Sequence, residues 1–308
     1  MTLFETFIKY IRYELNLSTH TVLSYSSDLS QFVTFLSGGD CTATLAHNSI
    51  DARRITTGDV RAWMASLSAA GLSLRSVHRK LQALRAFFKY AMKTGVIEEN
   101  PCDSVELAKA KMPLPQYVRP DAMDEVLSEE SDGENFEEVR DSLIVEMLYD
   151  TGIRRSELVG LKDSDVSTAR GELKVLGKRN KERIVPFAPV LAEKIELYRR
   201  LRNREVGDSD VFFVRCNGEP LYPGLVYRVV KNALASTGLG KRSPHVLRHS
   251  FASAMLNDGA EINSVKELLG HQNLSATQIY THITISELKH NYQQAHPRAT
   301  KKRRMIWK

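Results

Sequence analysis

Four side chains between Ser243 and Ile283 could together handle a phosphodiester: His245, Arg248, His271 and Tyr280. A guanidinium grips two phosphate oxygens with parallel N–H bonds. Imidazoles donate hydrogen bonds or move protons near neutral pH. A phenol can serve as a covalent nucleophile. Taken singly, each has an ordinary explanation, as a core or capping histidine or a packed tyrosine. Their spacing within one run of helix signals is what joins them.

The helix signals are specific. Ser243-Pro244 reads as an N-cap followed by a first-turn proline, whose missing N–H costs nothing there. His245 and Arg248, three apart, then share a face. Gly259 fits the stop. A second short helix over Ile262 to Leu269 ends at Gly270, and His271 follows at once. Ser275, with Gln278 three residues on, reads as a capping box opening a helix that carries Tyr280.

Two further cations sit upstream. Arg154 follows the turn Asp150-Thr151-Gly152, just as the helix RSELVGL begins. A guanidinium there shares an anion site with free backbone N–H groups, or else forms a structural salt bridge with Glu157. The run GELKVLGKRNKERIVPF reads as a strand pair through Leu173 and Val175, returning through Ile184 and Val185. Lys178, Arg179 and Lys181 cluster at its turn, as a soluble charged tip or as a lysine presented into a DNA groove.

The rest of the chain must position these groups. At 308 residues there is room for two domains. Phe4, Phe7, Ile8 and Ile11 mark one helical face, and Val22, Tyr25, Leu29, Phe32 and Leu36 mark a second behind Ser18. Residues 40–54 read as a polar loop. A third helix opens at Thr56 or Thr57 and ends at Gly71. A fourth runs from Ser73 through Val77, Leu81, Leu84 and Phe88 to Gly95. Away from its stripe this fourth helix carries Arg75, Arg79, Lys80, Arg85 and Lys89, with almost no acidic neighbour before Glu98. It is either a solvated face or a surface for a polyanion. Asn100-Pro101 closes an all-α domain over 1–108. The proline-rich stretch 109–120 reads as an extended linker.

The second domain, 121–308, begins with Asp121 as a helix N-cap and continues through an acidic loop to a buried helix with Val139, Leu143, Met147 and Leu148. Further helices are expected over 190–204 and Pro223 to Thr237, with a short buried strand at 211–214 and a tail helix after Ser286. The fold class is thus an N-terminal all-α domain followed by a mainly α domain with a small antiparallel sheet.

Charge is unevenly spread. Net charge is +6, but Leu161 to Lys308 holds 26 Lys+Arg against 14 Asp+Glu, while Asp121 to Gly160 holds 3 against 13. Such polarity leans toward a polyanionic partner. No apolar run approaches the roughly 20 residues that span a bilayer, and the amphipathic N-terminus is not a signal peptide. Cys41, Cys102 and Cys216 form neither a disulfide framework nor a zinc pattern, which fits a reducing cytoplasm.

With these residues in view, the chain resembles the tyrosine recombinase (phage integrase) family. TGIRRSEL is similar to the family's first arginine box, with Arg154 as its arginine. LGKRNKERIVP is similar to its hairpin lysine motif, with Lys178 as the lysine. HVLRH supplies the His-x-x-Arg pair as His245 and Arg248, LLGH supplies His271, and TQIYTH supplies Tyr280. NLSTHTVLSYSSDLSQF resembles the family's core-binding helices, so a SAM-like bundle is implied. YQQAHPRA resembles the tail of the Xer branch, the chromosome-dimer-resolving recombinases. Departures are Arg179 where glycine is common, long loops at 38–54 and 128–138, and a tail that runs on past HPRA.

The resemblance implies that Tyr280 attacks the scissile phosphate to leave a 3′-phosphotyrosyl link and a free 5′-hydroxyl. Arg154 and Arg248 would hold the transition-state oxygens, Lys178 would protonate the departing oxygen, and His245 and His271 would assist. The covalent link conserves bond energy, so neither ATP, a metal nor another cofactor is expected. Double-stranded DNA is the implied partner, clamped by the two domains, with Arg75, Arg79, Lys80, Arg179 and Lys181 as candidate contacts. Four protomers are implied, of one recombinase or two, coupled by tail helices from about 285 that dock into neighbours, with a septal DNA translocase as a further partner. Acting on a chromosomal site is the favoured role. An integrase of a mobile element, a type IB topoisomerase and a silent DNA-binding protein remain alternatives.

Overall fold

The structure is a computed structural model that describes residues 2–39, 51–108, 116–128, 133–177, 181–270, 292–296 and 298. Its apolar side chains sort into two separate cores, one for each of the units Met1–Pro113 and Leu114–Lys308.

The first unit is built from α1 (Leu3–Lys9), α2 (Thr19–Leu36), α3 (Thr57–Ala69) and α4 (Leu74–Lys93). Hydroxyls open all four. Thr2, Ser18, Thr56 and Ser73 each accept from an N–H in the first turn, satisfying donors the helix itself cannot pair. A π-turn over Tyr10–Glu14 continues α1 and keeps Ile11 buried. Phe4 stacks on Phe87 with ring centroids 4.3 Å apart, and Phe32 tilts against Trp63 at 4.9 Å. Part of the segment expected as loop, Ala52–Arg54, is a 3-10 turn with Ala52 and Ile55 buried; residues 40–50 lie outside the described residues.

The basic helix departs from expectation. Asp28, on α2, is buried and faces α4, where it accepts from Lys80 Nζ at 2.9 Å and Arg79 Nη2 at 2.7 Å. Lys80 also donates to Gln31 Oε1 at 2.6 Å and is itself buried. A buried carboxylate needs such pairing. Its partner came from a different helix, so the lack of acidic neighbours along α4 itself said nothing about it. Lys80 is therefore removed from the DNA-contact candidates, while Arg75 stays exposed and Arg79 is half-exposed.

Beyond Asn100-Pro101 the chain stays with this unit. Cys102 and Val105 are buried in the first core, Arg85 Nη2 donates to the Val105 carbonyl at 2.9 Å, and His78 Nε2 lies 2.9 Å from the Ala108 carbonyl. Peptide carbonyls thus take up two more of the polar side chains on α4.

The second unit is organised around α6 (Phe136–Thr151), buried on nearly every face and packed by α8 (Pro189–Glu205), α9 (Pro223–Ala233) and α10 (Pro244–Asn257). Ahead of it, α5 (Pro120–Ser128) starts at the proline, so Asp121 lies in the first turn and is not the N-cap. Val118, expected in the linker, is buried in this core, and its N–H donates to Ser250 Oγ at 2.8 Å. After α7 (Arg155–Val159) come β1 (Val166–Ser167), β2 (Glu172–Leu176) and β3 (Glu182–Pro186), antiparallel in the order β1-β2-β3, with Leu173 opposite Val185 and Val175 opposite Arg183.

Residues 211–214 are not a strand. Two isolated bridges, Lys162 with Val211 and Val214 with Pro220, pair only the ends of the segment, so no ladder forms, and Phe212 and Phe213 between them are buried. α9 ends at Ala233 and a 3-10 turn, Ala235–Thr237, replaces its expected last turn. Among the described residues the last helix before the tail is α11 (Ile262–Leu269), closed by Gly270 at φ +63°.

The described part of the tail completes this chain's own core. Tyr292, Ala295 and His296 are buried, and the Arg298 guanidinium pairs with Asp150 at 3.3 Å and with Glu146, both buried on α6. Burial, helped by the Arg298 charge, pushes the His296 imidazole down to about 3.

Candidate active site

α6 ends at Gly152, which takes φ +61° and passes so close to α10 that a Cβ there would lie 2.5 Å from Phe251 Cδ1. Only glycine fits both demands. The chain then turns through Ile153 to Arg154, the residue that opens α7. Arg154 accordingly stands between the end of one helix and the start of another.

The salt-bridge reading of Arg154 holds, with a qualification. Its Nη1 donates to Glu157 Oε1 at 2.7 Å and its backbone N–H to Glu157 Oε2 at 2.7 Å, so the salt bridge exists. Glu157 is shared, however. Arg183, on β3, donates to the same two oxygens through Nη1 and Nη2, each at 2.9 Å. Burial raises the Glu157 carboxyl, but hydrogen bonds from Arg183 and Arg154 outweigh it and hold it down to about 2.

Arg248 has no carboxylate among the described residues. It is buried on α10, where Nη1 donates to the Gly152 carbonyl at 2.6 Å and Nη2 to the Leu269 carbonyl. Burial pushes its guanidinium down to about 9, with the Arg154 charge adding to that. A desolvated cation held by carbonyls alone favours an anionic ligand.

Three guanidiniums meet at the end of α11. Arg183 Nε donates to the Leu268 carbonyl at 2.7 Å, Arg248 to that of Leu269, and Arg154 Nη2 to that of Gly270 at 2.9 Å. These are carbonyls that a helix leaves unpaired at its C-terminus, where the dipole favours positive charge. The next residue is His271, so the arginines fix the point from which it departs.

His245 opens α10 with its ring exposed. Burial of part of the ring, then the neighbouring His249, Arg248, Lys241 and Arg154, lower its pKa and favour the neutral imidazole. The His245 and His249 rings lie 4.4 Å apart, edge to face. Ser243 holds the N-cap backbone position, but its hydroxyl makes no capping bond and is buried without a partner among the described residues. Pro244 alone explains the helix start.

The structure thus gathers Arg154, Arg248 and His245. Lys178, Arg179, His271 and Tyr280 lie outside the described residues. Lys181 is exposed at the base of the hairpin turn, its carbonyl accepting from Gly177 N–H at 2.8 Å. Sequence reasoning missed Arg183. A signal was present: Arg183 shares strand parity with buried Val185, and a charge on an inward-facing position needs a partner. It also missed His249, one turn along α10 from His245.

A mainly α domain with a three-stranded sheet and clustered arginines, behind a small helical bundle, defines the class of enzymes that cleave and rejoin DNA through a tyrosine. The phage integrase family model matches residues 116–287, and that of the phage integrase N-terminal SAM-like domain matches residues 4–95. The chain belongs to the phage integrase family, and within it to the Xer-type site-specific tyrosine recombinases. It is 36% identical to tyrosine recombinase XerC of Chlorobaculum tepidum, over 95% of this chain and 94% of that protein. It is 35% identical to tyrosine recombinase XerD of Listeria monocytogenes, over 96% of this chain and 99% of that protein. A lambda integrase dimer bound to a core site shares the fold at TM-score 0.65 and 19% identity, covering 91% of this chain and 98% of that one. A lambda integrase tetramer bound to a Holliday junction shares it at TM-score 0.64 and 19% identity, covering 90% and 79%. Among the described residues, no helix is long and apolar enough to cross a membrane.

Proposed function

We propose that this recombinase resolves chromosome dimers at a specific chromosomal site, using Tyr280 as nucleophile. The phenol oxygen attacks the scissile phosphorus, the bond to the 5′-oxygen breaks, and a 3′-phosphotyrosyl diester forms. One diester replaces another, so rejoining runs the same step backward with a new 5′-hydroxyl. Arg154 and Arg248 hold the non-bridging oxygens, whose charge grows in the transition state. Lys178 gives its proton to the leaving 5′-oxygen. Neutral His245 assists proton movement at the phosphate, and His271 donates to a non-bridging oxygen.

The observation that carries this reading is Arg248: a buried guanidinium with only carbonyl partners among the described residues, beside an arginine that shares the Glu157 carboxylate with a third. Positive charge is left over where an anion would sit. Arg75, Arg79, Arg179 and Lys181 are proposed as phosphate contacts along the duplex, which would make binding steeply salt-dependent.

Four strand cleavages exchange two duplexes, so four protomers act together, of one recombinase or two, with a septal DNA translocase as a further partner. Identity to XerC and XerD over nearly the whole chain supports the chromosomal role over that of a mobile-element integrase. A nicked suicide duplex traps the covalent adduct. Tyr280→Phe should abolish the adduct and keep DNA binding; an adduct formed by Tyr280→Phe removes Tyr280 as nucleophile. Selection of the bound site from random DNA, mapped to the chromosome, separates resolution from integration.

A further inference from the structure

Arg183 stands on the return strand of the hairpin whose tip holds Lys178, with its side chain 14% exposed. Three of its donors are engaged, Nη1 and Nη2 on Glu157 and Nε on the Leu268 carbonyl. Its guanidinium also lies against Gly270: a Cβ there would stand 3.2 Å from Arg183 Nη1 and 3.4 Å from Cζ. One side chain therefore joins β3, α7 and the end of α11.

The electrostatic consequence is specific. Glu157 receives four N–H bonds, two on each oxygen: Arg154 Nη1 and Arg183 Nη1 on Oε1, Arg154 N–H and Arg183 Nη2 on Oε2. A carboxylate offers about four lone-pair sites, so Glu157 is saturated. Without Arg183, Glu157 and Arg154 would form a closed neutral pair, and the Arg154 fork would be free to turn both its nitrogens onto the carboxylate. With Arg183 in place, Arg154 can give Glu157 a single side-chain bond. The trio keeps a net positive charge, and Nη2 of Arg154 stays directed at Gly270.

We infer that Arg183 is a positioning residue for strand cleavage: it prevents Glu157 from neutralising Arg154, and fixes the Arg154 guanidinium and the Gly270 turn. This rests on the proposed role of Arg154 at the phosphate. Neither the fork nor the Nε bond can be supplied by lysine, which carries the charge as a single point.

The test is single-turnover cleavage of a nicked suicide duplex by the full chain, with DNA affinity measured alongside, for wild type, Arg154→Ala, Arg183→Ala and Arg183→Lys. Both Arg183 variants should bind within about threefold of wild type and cleave about a hundredfold more slowly, the size expected for a displaced reacting group. A second substrate carries a methylphosphonate at the scissile position. It lacks the anionic oxygen that Arg154 serves, so the deficits of Arg154→Ala and of both Arg183 variants should shrink on it together. A merely structural defect lowers cleavage of both substrates equally, and that result overturns the inference. So does full activity in Arg183→Ala, or in Arg183→Lys should the alanine variant not fold. Normal cleavage by Arg154→Ala would instead overturn the reading of the phosphate site itself.

Discussion

Arg248 reaches from α10 to the carbonyl of Gly152, the left-handed residue that ends α6 and stands two residues before Arg154, at 2.6 Å. The two arginines are therefore not independent. Arg248 holds the turn that aims Arg154, and both end on consecutive carbonyls, Leu269 and Gly270, just ahead of His271. The proposed phosphate grip is a network with shared anchors, so replacing one arginine should disturb the other.

That network gives a sharp expectation for Arg248→Lys. An ammonium keeps the charge but cannot hold Gly152 O and Leu269 O in one plane and still face an anion. Single-turnover cleavage should fall about 100- to 1,000-fold, the loss seen when one pre-aimed donor is removed from a developing oxyanion. DNA affinity should change only a few-fold, because phosphates along the duplex supply most of it. A near-normal cleavage rate for Arg248→Lys would remove the planar fork from the mechanism.

Several helix boundaries were legible because local chemistry sets them. Ser73 caps α4, and Gly270 ends α11 at a left-handed φ that glycine alone adopts freely. The class of enzyme and the order of the two domains were legible too, since the arginine box and the His-x-x-Arg pair are short motifs. What stayed hidden was long-range. Asp28 lies 52 residues from Lys80, and no periodicity along α4 reports a carboxylate on α2. Arg183 is 26 residues from Glu157, and its strand parity was the one available hint. The Ser243 hydroxyl misled in the opposite sense: a good capping residue sits at the right backbone position and makes no cap.

Asp28 should be the electrostatic keystone of the first unit. Asp28→Ala leaves the Lys80 ammonium buried with Gln31 as its one remaining hydrogen-bond partner among the described residues, and frees Arg79 of its carboxylate. Breaking a buried pair from one side costs about 3–5 kcal/mol. Urea unfolding of the full chain should show that loss in the transition of the N-terminal unit. Replacing both ends, Asp28→Leu with Lys80→Met, should recover most of it, since an apolar pair of similar volume avoids the unpaired charge. A small loss in Asp28→Ala would show that water reaches this pair.

Glu157 predicts a pH dependence with a defined sign. Its folded pKa, about 2, lies below the ordinary glutamate value of 4.5, because hydrogen bonds from Arg183 and Arg154 outweigh the opposing effect of burial. The unfolded chain therefore binds more protons between those two values, and stability rises with pH across that window. The contribution, ~3 kcal/mol from that difference in pKa, is fully present above about pH 4.5 and is lost as pH falls toward 2. Glu157→Gln cannot ionise, so it should be less stable than the parent chain at pH 6, and the gap should narrow by about half at pH 3 and close only as pH approaches 2. Denaturant midpoints of both chains between pH 3 and 6 measure this. Parallel curves across that range would mean that Glu157 is not ionised between its two arginines, and the charge balance that leaves Arg154 available to a phosphate would go with it.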